Sequence, residues 1–408
     1  MKKLTVHYCG WGESWPLGLL ADSGRELLFE YSQEALREGL ELSPLRLPLR
    51  TEAYGDLPRY LLGLPGLISD SLPDGWGLLL MDRYFRRRGL EPAALSPLDR
   101  LAFLGERSLG ALTFQPAEQV GLTATDTTLL QIAKEVQTVF AGKDGDVLKH
   151  LLLVGGSPHG ARPKALIGYD PTQGTISTAP DQKHVPYLIK FPAQNEHKEV
   201  CAIEHAYSET ARACGIEVPH TQYFDLGRSH AAFGIARFDI EAGMRVPVHT
   251  LAGALHADFR VPAVDYTSLL RATRAFTGDE REVVNAYKRV LFNVIFNNRD
   301  DHSKNFAFRL DRDRRWRLAP AYDLTFNVGP RGEHQMDICG EASHVTRTHV
   351  LELAAKGGIK TRSATARLEQ ILEQVGPFKQ QLLDRPIRAA TARTIIDAVN
   401  LNAAALRR

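Results

Sequence analysis

Residues 290–310 of this 408-residue chain constrain its fold and its chemistry more than any other segment. They read VLFNVIFNNRDDHSKNFAFRL: a helix that is apolar on nearly every side ends in a dense polar cluster, and an apolar strand follows at once. A helix that is apolar all round is buried. Charged groups beside a core are costly unless they pair or bind something. The segment therefore predicts a buried helix that delivers a functional loop.

The spacing of the acidic and amide residues in this loop is that of a phosphoryl-transfer site. Protein-kinase catalytic loops place an aspartate base five residues before an asparagine that holds magnesium. Asp300 and Asn305 have this spacing, and Asp323 lies eighteen residues further on. Either motif alone would be better explained by loop capping or a turn. Both together, after a buried helix, favour phosphoryl transfer, with Asp301 supporting the loop or sharing the metal.

Two upstream segments add features that a nucleotide site needs. Residues 155–170 (GGSPHGARPKALIGYD) join a glycine-rich stretch to a strand, and such loops bring backbone N–H groups close to phosphate oxygens. Lys190 lies in an apolar strand, where an unpaired lysine is unusual, so we expect it to bind phosphate and to be held by Glu204 on the next helix. The alternatives are a tight turn and an edge-strand lysine that discourages aggregation.

Composition and charge are those of an ordinary globular protein. Apolar residues make up 44% and charged residues 24%, which excludes a disordered chain, a collagen-like repeat and a small disulfide scaffold. Fifty basic and 48 acidic residues give a formal charge of +2, which argues against a protein whose main work is gripping nucleic acid over a wide face. Four scattered cysteines are typical of reduced thiols. Without a signal-peptide core or a run of ~18 apolar residues, we expect a cytoplasmic protein with no membrane segment.

The distribution of strand and helix patterns predicts an α+β protein with three domains. Short strand-like pieces dominate the first ~115 residues. Three further β-type runs follow: LLLV, KALIGYD and VPYLIKF. After about residue 243 apolar helical spacing prevails. We place the domains at residues 1–115, 116–240 and 241–408.

Several motifs, taken in order, resemble one protein family. They are LPDGWGLLLMDRYFRRRG, LGERSLGALTF, SPHGARPKALIGYD, YLIKFP, AIEHAYSETARACGIEVP, IARFDI, FNNRDDHSKNFAFRL and LAPAYDLT. Together they resemble the HipA family, the bacterial serine/threonine kinase toxins of toxin–antitoxin pairs. The resemblance implies a two-lobed, protein-kinase-like fold, β-rich in its N-terminal part and mainly helical in its C-terminal lobe. The three domains would then be an N-terminal subdomain, a small nucleotide-binding lobe and a helical catalytic lobe.

The resemblance also implies a role for each matching position. Asp300 would be the catalytic base, and Asn305 and Asp323 would hold Mg²⁺. Lys190 would bind the phosphates of ATP. The remaining ATP-binding positions would be His159, Gly160, Ala161, Arg162, Pro163, Lys164, Ala236, Arg237, Phe238, Asp239, His302, Ser303, Lys304 and Tyr322. Among these, Ala236 and Phe238 would contact adenine through the main chain, and Asp239 would lie near the ribose.

Ser157 stands where members of the family carry an autophosphorylated serine. Its modification would eject the loop and silence the kinase, because a phosphate adds about −1.5 to −2 charges where the phosphates of ATP bind. The chain departs from the family pattern beside this serine. It carries Pro158 and His159, then Arg162-Pro163, where a small residue and a glutamine are common. Pro158 stiffens the peptide after Ser157.

The function that the resemblance implies is ATP- and Mg²⁺-dependent phosphorylation of a translation protein, with an aminoacyl-tRNA synthetase as the family precedent, causing growth arrest. The expected partner is a HipB-like helix-turn-helix antitoxin, which would tether the complex to operator DNA. Two alternatives remain. One is a kinase-fold corepressor or scaffold with little catalytic activity, although a scaffold need not keep the whole set of catalytic residues. The other is a metal-dependent hydrolase built on Asp300, Asp301, His302 and Asp323, which leaves the lysine strand unexplained.

Overall fold

The chain forms two compact units with different secondary structure. The computed structural model describes residues 2–118, 127–142, 147–155, 160–178 and 183–408. Unit 1 comprises Met1–Cys201 and Gln222–His249, and unit 2 comprises Ala202–Thr221 and Thr250–Arg408. Unit 1 holds most of the strands and unit 2 is mainly helical. The predicted mixed architecture, with a β-rich first part and a helical second part, is therefore confirmed. The three predicted domain boundaries stay a prediction.

The first sheet of unit 1 is an antiparallel meander joined by a distant strand. Its strands are β1 (Lys3–Tyr8), β2 (Trp15–Asp22), β3 (Leu27–Tyr31) and β4 (Leu112–Gln115), in the order β3-β2-β1-β4. Leu4, Val6 and Tyr8 are buried while the residues between them are half-exposed, which is the period-two pattern of a sheet with one face in the core.

Among the residues of unit 1 that the structure describes, α-helices accompany the strands. They are α1 (Gln33–Glu38), α2 (Gly66–Ser69), α3 (Gly75–Arg87), α4 (Pro97–Leu104), α5 (Leu129–Phe140) and α6 (Val147–Gly155). Local sequence explains where α4 begins. Ser96 accepts a hydrogen bond from the Asp99 N–H, while the Asp99 carboxylate accepts one from the Ser96 N–H, and Pro97 occupies the first helical position.

The second sheet of unit 1 carries the strands that were expected to bind nucleotide. Its strands are β5 (Lys164–Asp170), β6 (Thr175–Ser177), β7 (Val185–Lys190), β8 (Thr221–Asp225) and β9 (Ala231–Ala236), in the order β6-β5-β7-β9-β8. Two short strands, β10 (Ile240–Glu241) and β11 (Met244–Arg245), form a hairpin, and β12 (Val248–Thr250) follows.

The prediction that LLLV forms a strand is wrong. Residues 151–154 belong to helix α6. A short apolar run has no periodicity that separates a buried strand from a buried helix, and length has to decide. Here the helix begins at Val147, before the apolar run, so the nine-residue element is longer than the run that suggested a strand. KALIGYD and VPYLIKF do form strands, β5 and β7.

Unit 2 consists of helices and one β-hairpin. Helix α7 (Glu199–Ala213) crosses the boundary between the units. The other elements are α8 (Leu251–Leu255), α9 (Tyr266–Thr277), α10 (Glu280–Ile295), β13 (Ala307–Leu310), β14 (Trp316–Leu318), α11 (Arg347–Lys356), α12 (Thr361–Glu373), α13 (Val375–Leu383) and α14 (Ala389–Arg407). In the part of the chain that the structure describes, no helix is long and apolar enough to cross a membrane.

Helix α10 is the centre of the unit 2 core, as its apolar sequence predicts. Asp279 caps its first turn by accepting a hydrogen bond from the Arg281 N–H. At its other end the Phe296 ring packs against the rings of Phe292 and Phe378, with centroid distances of 4.6 and 5.0 Å, respectively. The Tyr207 hydroxyl donates to the Phe296 carbonyl at 2.6 Å. The last turn of α10 is therefore fixed where the polar loop begins.

Candidate functional site

Asparagine side chains hold the loop that leaves α10. The Asn298 amide donates to the Asn293 side-chain oxygen at 3.0 Å. The Asn297 amide donates to the Asn327 carbonyl at 3.0 Å, and the Asn327 N–H returns a bond to the Asn297 carbonyl at 3.1 Å. Asn297 has φ +54°, a left-handed conformation that asparagine tolerates better than most residues. The polar residues of NNRDD thus shape the loop before any ligand is considered.

The predicted base precedes a short turn of unit 2 that ends in the predicted amide ligand. Ser303–Asn305 form a single 3₁₀ turn, and the Asn305 side-chain N–H donates to the Asp300 carbonyl at 2.7 Å. This bond uses the amide nitrogen of Asn305, so its oxygen is the atom suited to a cation. The Asp300 carboxylate is half-buried, and its Oδ1 accepts a hydrogen bond from the Gln335 side chain at 3.1 Å.

Asp301 points into the core and supports the loop. Its side chain is 1% exposed. Its Oδ2 accepts hydrogen bonds from the Tyr266 hydroxyl at 2.5 Å and from His334 Nδ1 at 2.7 Å, and its Oδ1 accepts the Gln335 N–H at 2.8 Å. Burial, together with the Asp301 carboxylate, raises the pKa of Tyr266 well above its ordinary value, so the hydroxyl stays a donor. A carboxylate engaged in three hydrogen bonds within the protein serves the loop, which argues against the hydrolase interpretation.

Asp323 has a left-handed backbone conformation, which is uncommon for residues other than glycine but which aspartate adopts more readily than most. Its φ is +54°, and its side chain is half-buried. The preceding Tyr322 donates its hydroxyl to the Lys304 carbonyl at 2.6 Å, which ties the APAYD segment to the predicted catalytic loop within unit 2. Several other described residues outside the candidate site share a positive φ, so this conformation is compatible with a ligand role for Asp323 and with a turn.

Phe259 packs beneath two residues expected to bind ATP. The Lys304 ammonium lies 4.3 Å from the centroid of the Phe259 ring, and the His302 ring centroid lies 5.5 Å from it. A cation over an aromatic face is attracted by the negative charge of that face. Phe259 lies far from the motif in the sequence, and no pattern around it indicated this contact. The buried Ser303 lies between these two residues in the 3₁₀ turn.

Two lysines lie opposite each other in the nucleotide sheet of unit 1. Lys164 on β5 pairs in register with Lys190 on β7, and both are buried, at 4% and 6% exposure. Directly opposite residues of an antiparallel pair project from the same face. The Lys190 ammonium also lies 5.8 Å from the centroid of the Phe233 ring. Two ammonium groups on one face concentrate positive charge, as a phosphate site requires. Glu204 is buried on α7, in unit 2, and its pairing with Lys190 stays a prediction.

The described end of the predicted phosphate loop is anchored to the start of α3. The Gly160 N–H donates to the Asp74 carboxylate, and the Trp76 N–H donates to the Gly160 carbonyl at 3.0 Å. Arg162 makes a forked pair with Glu196, with nitrogen–oxygen distances of 3.0–3.3 Å. The Pro163 carbonyl accepts the Phe191 N–H at 2.9 Å, and Ala161 lies between the two anchors. Ser157, Pro158 and His159 lie outside the described residues.

Residues 236–239 lead from the last long strand of unit 1 to the hairpin. Ala236 pairs with Tyr187 on β7, and the next N–H, of Arg237, donates to the Pro186 carbonyl at 2.8 Å. Phe238 and Asp239 follow. The Arg237 guanidinium donates two hydrogen bonds to the Asp239 carboxylate, at 2.9 and 2.7 Å. The Gly110 N–H donates a third at 3.0 Å.

Together, the charge of Arg237 and the hydrogen bonds to the Asp239 carboxylate affect its pKa more than its burial does. Burial alone would raise the pKa of the Asp239 carboxyl, but the charge and hydrogen bonds of Arg237, helped by the Gly110 N–H, bring that pKa below its ordinary value. Asp239 is therefore ionised, and its carboxylate is engaged in hydrogen bonds within unit 1. A cavity of about 260 Å³ opens beside Arg237, with Leu104, Leu166 and Ile240 among its lining residues.

A second constellation, in unit 1, has the connectivity of a serine hydrolase but no access. His249 Nε2 lies 2.9 Å from the Ser43 hydroxyl, and His249 Nδ1 lies 2.7 Å from the Asp70 carboxylate. Ser43 and His249 are both 0% exposed, so no substrate carbonyl could reach the hydroxyl. We interpret this chain of bonds as a buried structural network. Sequence spacing gave no sign of it.

Comparison with known proteins covers most of the chain. Two family models match, the HipA-like C-terminal domain over residues 156–378 and the HipA N-terminal domain over residues 11–115. Two curated relatives are "Putative kinase" of Haemophilus influenzae, 26% identical over 165 residues, and "Putative kinase Y4dM" of Sinorhizobium fredii, 26% identical over 155 residues. These alignments cover 36% and 35% of this chain and 46% and 37% of the relatives, so the chain spans less than half the length of either.

A solved structure resembles the whole chain. It is the Shewanella oneidensis MR-1 toxin–antitoxin complex of HipA, HipB and operator DNA, with a TM-score of 0.71 and 17% identity. The superposition covers 98% of this chain and 96% of that chain. At such low identity the likeness establishes the fold, which is the kinase-like, two-lobed fold that the sequence predicts.

Proposed function

This chain belongs to the HipA family, and from that premise we propose that it is an ATP-dependent serine/threonine protein kinase acting as the toxin of a toxin–antitoxin pair. The observation that carries the proposal is the 2.7 Å hydrogen bond from the Asn305 side chain to the Asp300 carbonyl. This bond holds the Asn305 side chain against the backbone of Asp300, so that the residue with the amide oxygen and the residue with the carboxylate stay close together. Kinase catalytic loops use an aspartate and an asparagine at this spacing, as base and metal ligand.

In the proposed reaction the Asp300 carboxylate accepts the proton of a serine or threonine hydroxyl. The hydroxyl oxygen forms a bond to the γ-phosphorus of ATP as the bond from that phosphorus to the bridging oxygen breaks, and ADP leaves. The proton then passes from Asp300 to solvent. Little covalent chemistry falls to the protein, so catalysis depends on positioning and on neutralising charge. Lys164 and Lys190 would supply positive charge to the phosphates, and Lys304 and His302 would complete the ATP contacts.

Asn305 and Asp323 fit a magnesium site by their chemistry. An amide oxygen and a carboxylate are hard oxygen donors, and Mg²⁺ is commonly held by one or two protein ligands of this kind together with substrate phosphates. A bound Mg²⁺ would neutralise charge on the β- and γ-phosphates. What this chain contributes is the fixed orientation of Asn305, whose amide nitrogen is tied to the Asp300 carbonyl, and the strained backbone that presents Asp323.

The partners follow from the family premise and stay part of the proposal. A HipB-like helix-turn-helix antitoxin would bind the chain and connect it to operator DNA. The expected protein substrate is a translation protein of the aminoacyl-tRNA synthetase class. Ser157 would be the site of self-phosphorylation. The described end of this loop, next to β5, is anchored at Gly160 and Arg162.

The test is to incubate the purified chain with ATP and Mg²⁺ and to follow phosphate incorporation by intact mass and peptide mapping. Asp300→Ala removes the proposed base and should bring incorporation below detection in this assay, leaving only a slow residual rate about 10²- to 10⁴-fold below the wild type, without changing the thermal unfolding midpoint. Asp313→Ala is the matched control, because Asp313 is an exposed aspartate in the turn between β13 and β14. It should keep the wild-type incorporation.

Each outcome discriminates between the interpretations. Phosphate on Ser157 in the wild type and in Asp313→Ala, but not in Asp300→Ala, would support both the kinase and the self-silencing loop. Incorporation that persists in Asp300→Ala would remove Asp300 from the role of base. ATP binding by calorimetry without any transfer, to the chain or to a synthetase, would favour the corepressor or scaffold. Absence of ATP binding would overturn the proposed function.

A further inference from the structure

The two consecutive aspartates of the catalytic loop are tied to two consecutive residues of a distant segment of unit 2. Asp301 bonds to His334 and to the Gln335 N–H, while the Gln335 side chain bonds to Asp300. The backbone of Gln335 and its amide group therefore bridge two neighbouring carboxylates of different function. No motif contains His334 or Gln335, and the roles assigned above leave Gln335 without one.

The anchor of this bridge is rigid. Asp301 is 1% exposed and His334 5%, so both lie in the core. The Tyr266 hydroxyl that donates to Asp301 accepts in turn from the Asn293 side chain at 3.0 Å, which connects the network to α10. The His334 N–H donates to the Ala342 carbonyl at 2.8 Å. A buried network in which each polar group has its partner holds its members in one arrangement.

The side chain of Gln335 extends from this anchor to the reacting group. Its Nε2 lies 3.1 Å from Asp300 Oδ1, a normal hydrogen-bond distance. Because the backbone N–H of Gln335 is already fixed by Asp301, the amide has a defined origin from which to orient the Asp300 carboxylate. We propose that Gln335 is a positioning residue that holds the Asp300 carboxylate in the orientation needed to accept the proton of the substrate hydroxyl. The role rests on the proposed kinase function.

The magnitude follows from what positioning contributes to catalysis. Displacing a reacting group by about 1 Å can lower the rate on the order of 100-fold. Losing this hydrogen bond removes one restraint on the orientation of the Asp300 carboxylate, so we expect the phosphate-transfer rate to fall by about 10- to 100-fold in Gln335→Met. Methionine keeps the length of the side chain and lacks the donor. The ATP concentration for half-maximal rate should stay within about twofold, because Gln335 touches the base and is assigned no ATP contact.

Stability should be largely unchanged in this variant. The bond from the Gln335 N–H to Asp301 belongs to the backbone, and any side chain at this position can make it. Gln335 is half-exposed, so the substitution opens no core cavity. Gln173→Met is the matched control, since Gln173 is an exposed glutamine in the turn between β5 and β6. It should keep the wild-type rate.

The deciding experiment is a double-mutant cycle on single-turnover phosphate transfer from radiolabelled ATP, with Mg²⁺, to the chain itself. In the Asp300→Ala background there is no carboxylate to orient, so adding Gln335→Met should lower the residual rate no further. A merely structural role would instead lower the rate by the same factor in both backgrounds and reduce the unfolding midpoint.

The failures are distinguishable. Wild-type transfer with an unchanged rate in Gln335→Met, or equal factors in both backgrounds, would overturn the positioning role and leave the kinase function standing. A wild-type chain that transfers no phosphate to itself or to a synthetase would overturn the kinase function, and the role of Gln335 with it. If Gln335→Met lowers the transfer rate of the wild type but not that of Asp300→Ala, the kinase function and the positioning role are both established.

Discussion

Gly75→Ala should disturb the close contact between the start of α3 and the predicted phosphate loop. Gly75 is the first residue of α3 and has φ +44°. A Cβ added there would lie 2.5 Å from the Gly160 carbonyl oxygen and 2.8 Å from the Ala161 Cα. The neighbouring Trp76 N–H donates to that same carbonyl. The missing side chain is therefore what allows α3 and the loop to approach this closely.

Two costs add at this position. A left-handed backbone costs a residue with a side chain about 1–2 kcal/mol. Forcing a methyl group into a closely packed contact costs typically a further 1–3 kcal/mol. The opposing atoms at Gly75 are backbone atoms of Gly160 and Ala161, so rotation of a flexible side chain cannot relieve the clash. We expect Gly75→Ala to lose about 2–5 kcal/mol of folding free energy, unless the loop moves and gives up its bonds to Asp74 and Trp76.

Gly89→Ala separates the two costs. Gly89 lies just beyond the other end of α3, has φ +75°, and would have no atom within 4 Å of an added Cβ. Gly89→Ala should therefore lose only the folding free energy that the left-handed backbone costs, about 1–2 kcal/mol. The measurements are thermal unfolding and ATP affinity by calorimetry. Gly75→Ala should either be less stable than Gly89→Ala by about 1–3 kcal/mol or bind ATP more weakly, depending on whether the loop yields. Equal stability and equal ATP affinity in the two variants would refute the argument.

Two further predictions concern histidines, the buried His249 and the half-buried His205. His249→Ala removes the link between Ser43 and Asp70 and leaves a cavity. The free energy of unfolding, measured by urea titration, should therefore fall on the order of 2–4 kcal/mol. A loss below ~1 kcal/mol would contradict the structural role. Burial lowers the pKa of His205, Glu209 raises it and Arg385 lowers it further, so the unfolded chain takes up the proton first as the pH falls below 6.5. Stability should therefore drop with acid from that pH, and the unfolding midpoint of His205→Gln should fall less steeply between about pH 7 and pH 5; identical slopes would contradict this sign.

The sequence predicted the elements whose pattern is local. The apolar run of α10 indicated a buried helix that ends in a polar loop, and the structure has both; the special function of that loop stays a prediction. The alternation in VPYLIKF indicated a strand, which is β7. LLLV failed because four apolar residues carry no period, and the helix that contains them begins before the run.

The sequence could not predict contacts that only the fold creates. His334 and Gln335 lie more than thirty residues after the aspartates they bond to, in a segment with no regular structure between a 3₁₀ turn and α11. Phe259 reaches His302 and Lys304 from the segment between α8 and α9. Such partners have ordinary residue types and no characteristic spacing. Sequence reasoning finds the groups that do chemistry because their types and spacing are restricted, and it misses the groups that hold them.

Arg289 shows how far such support extends. It lies on α10 at 5% exposure, and burial lowers the pKa of its guanidinium to about 10, so it is still charged at neutral pH. It donates to the Ala319 carbonyl, four residues before Asp323, while its Nε and Nη1 have no acceptor among the described residues. A buried cation with donors left over is costly. A core chosen for stability alone would place an apolar side chain there. The cation instead lies against the segment that leads into the strained Asp323, so unit 2 carries two unfavourable local features beside the same candidate ligand. Proteins tolerate such costs mainly where a fixed arrangement serves function, so we expect Arg289 to fix the backbone at Ala319 and, through it, the segment that leads to the predicted ligand Asp323.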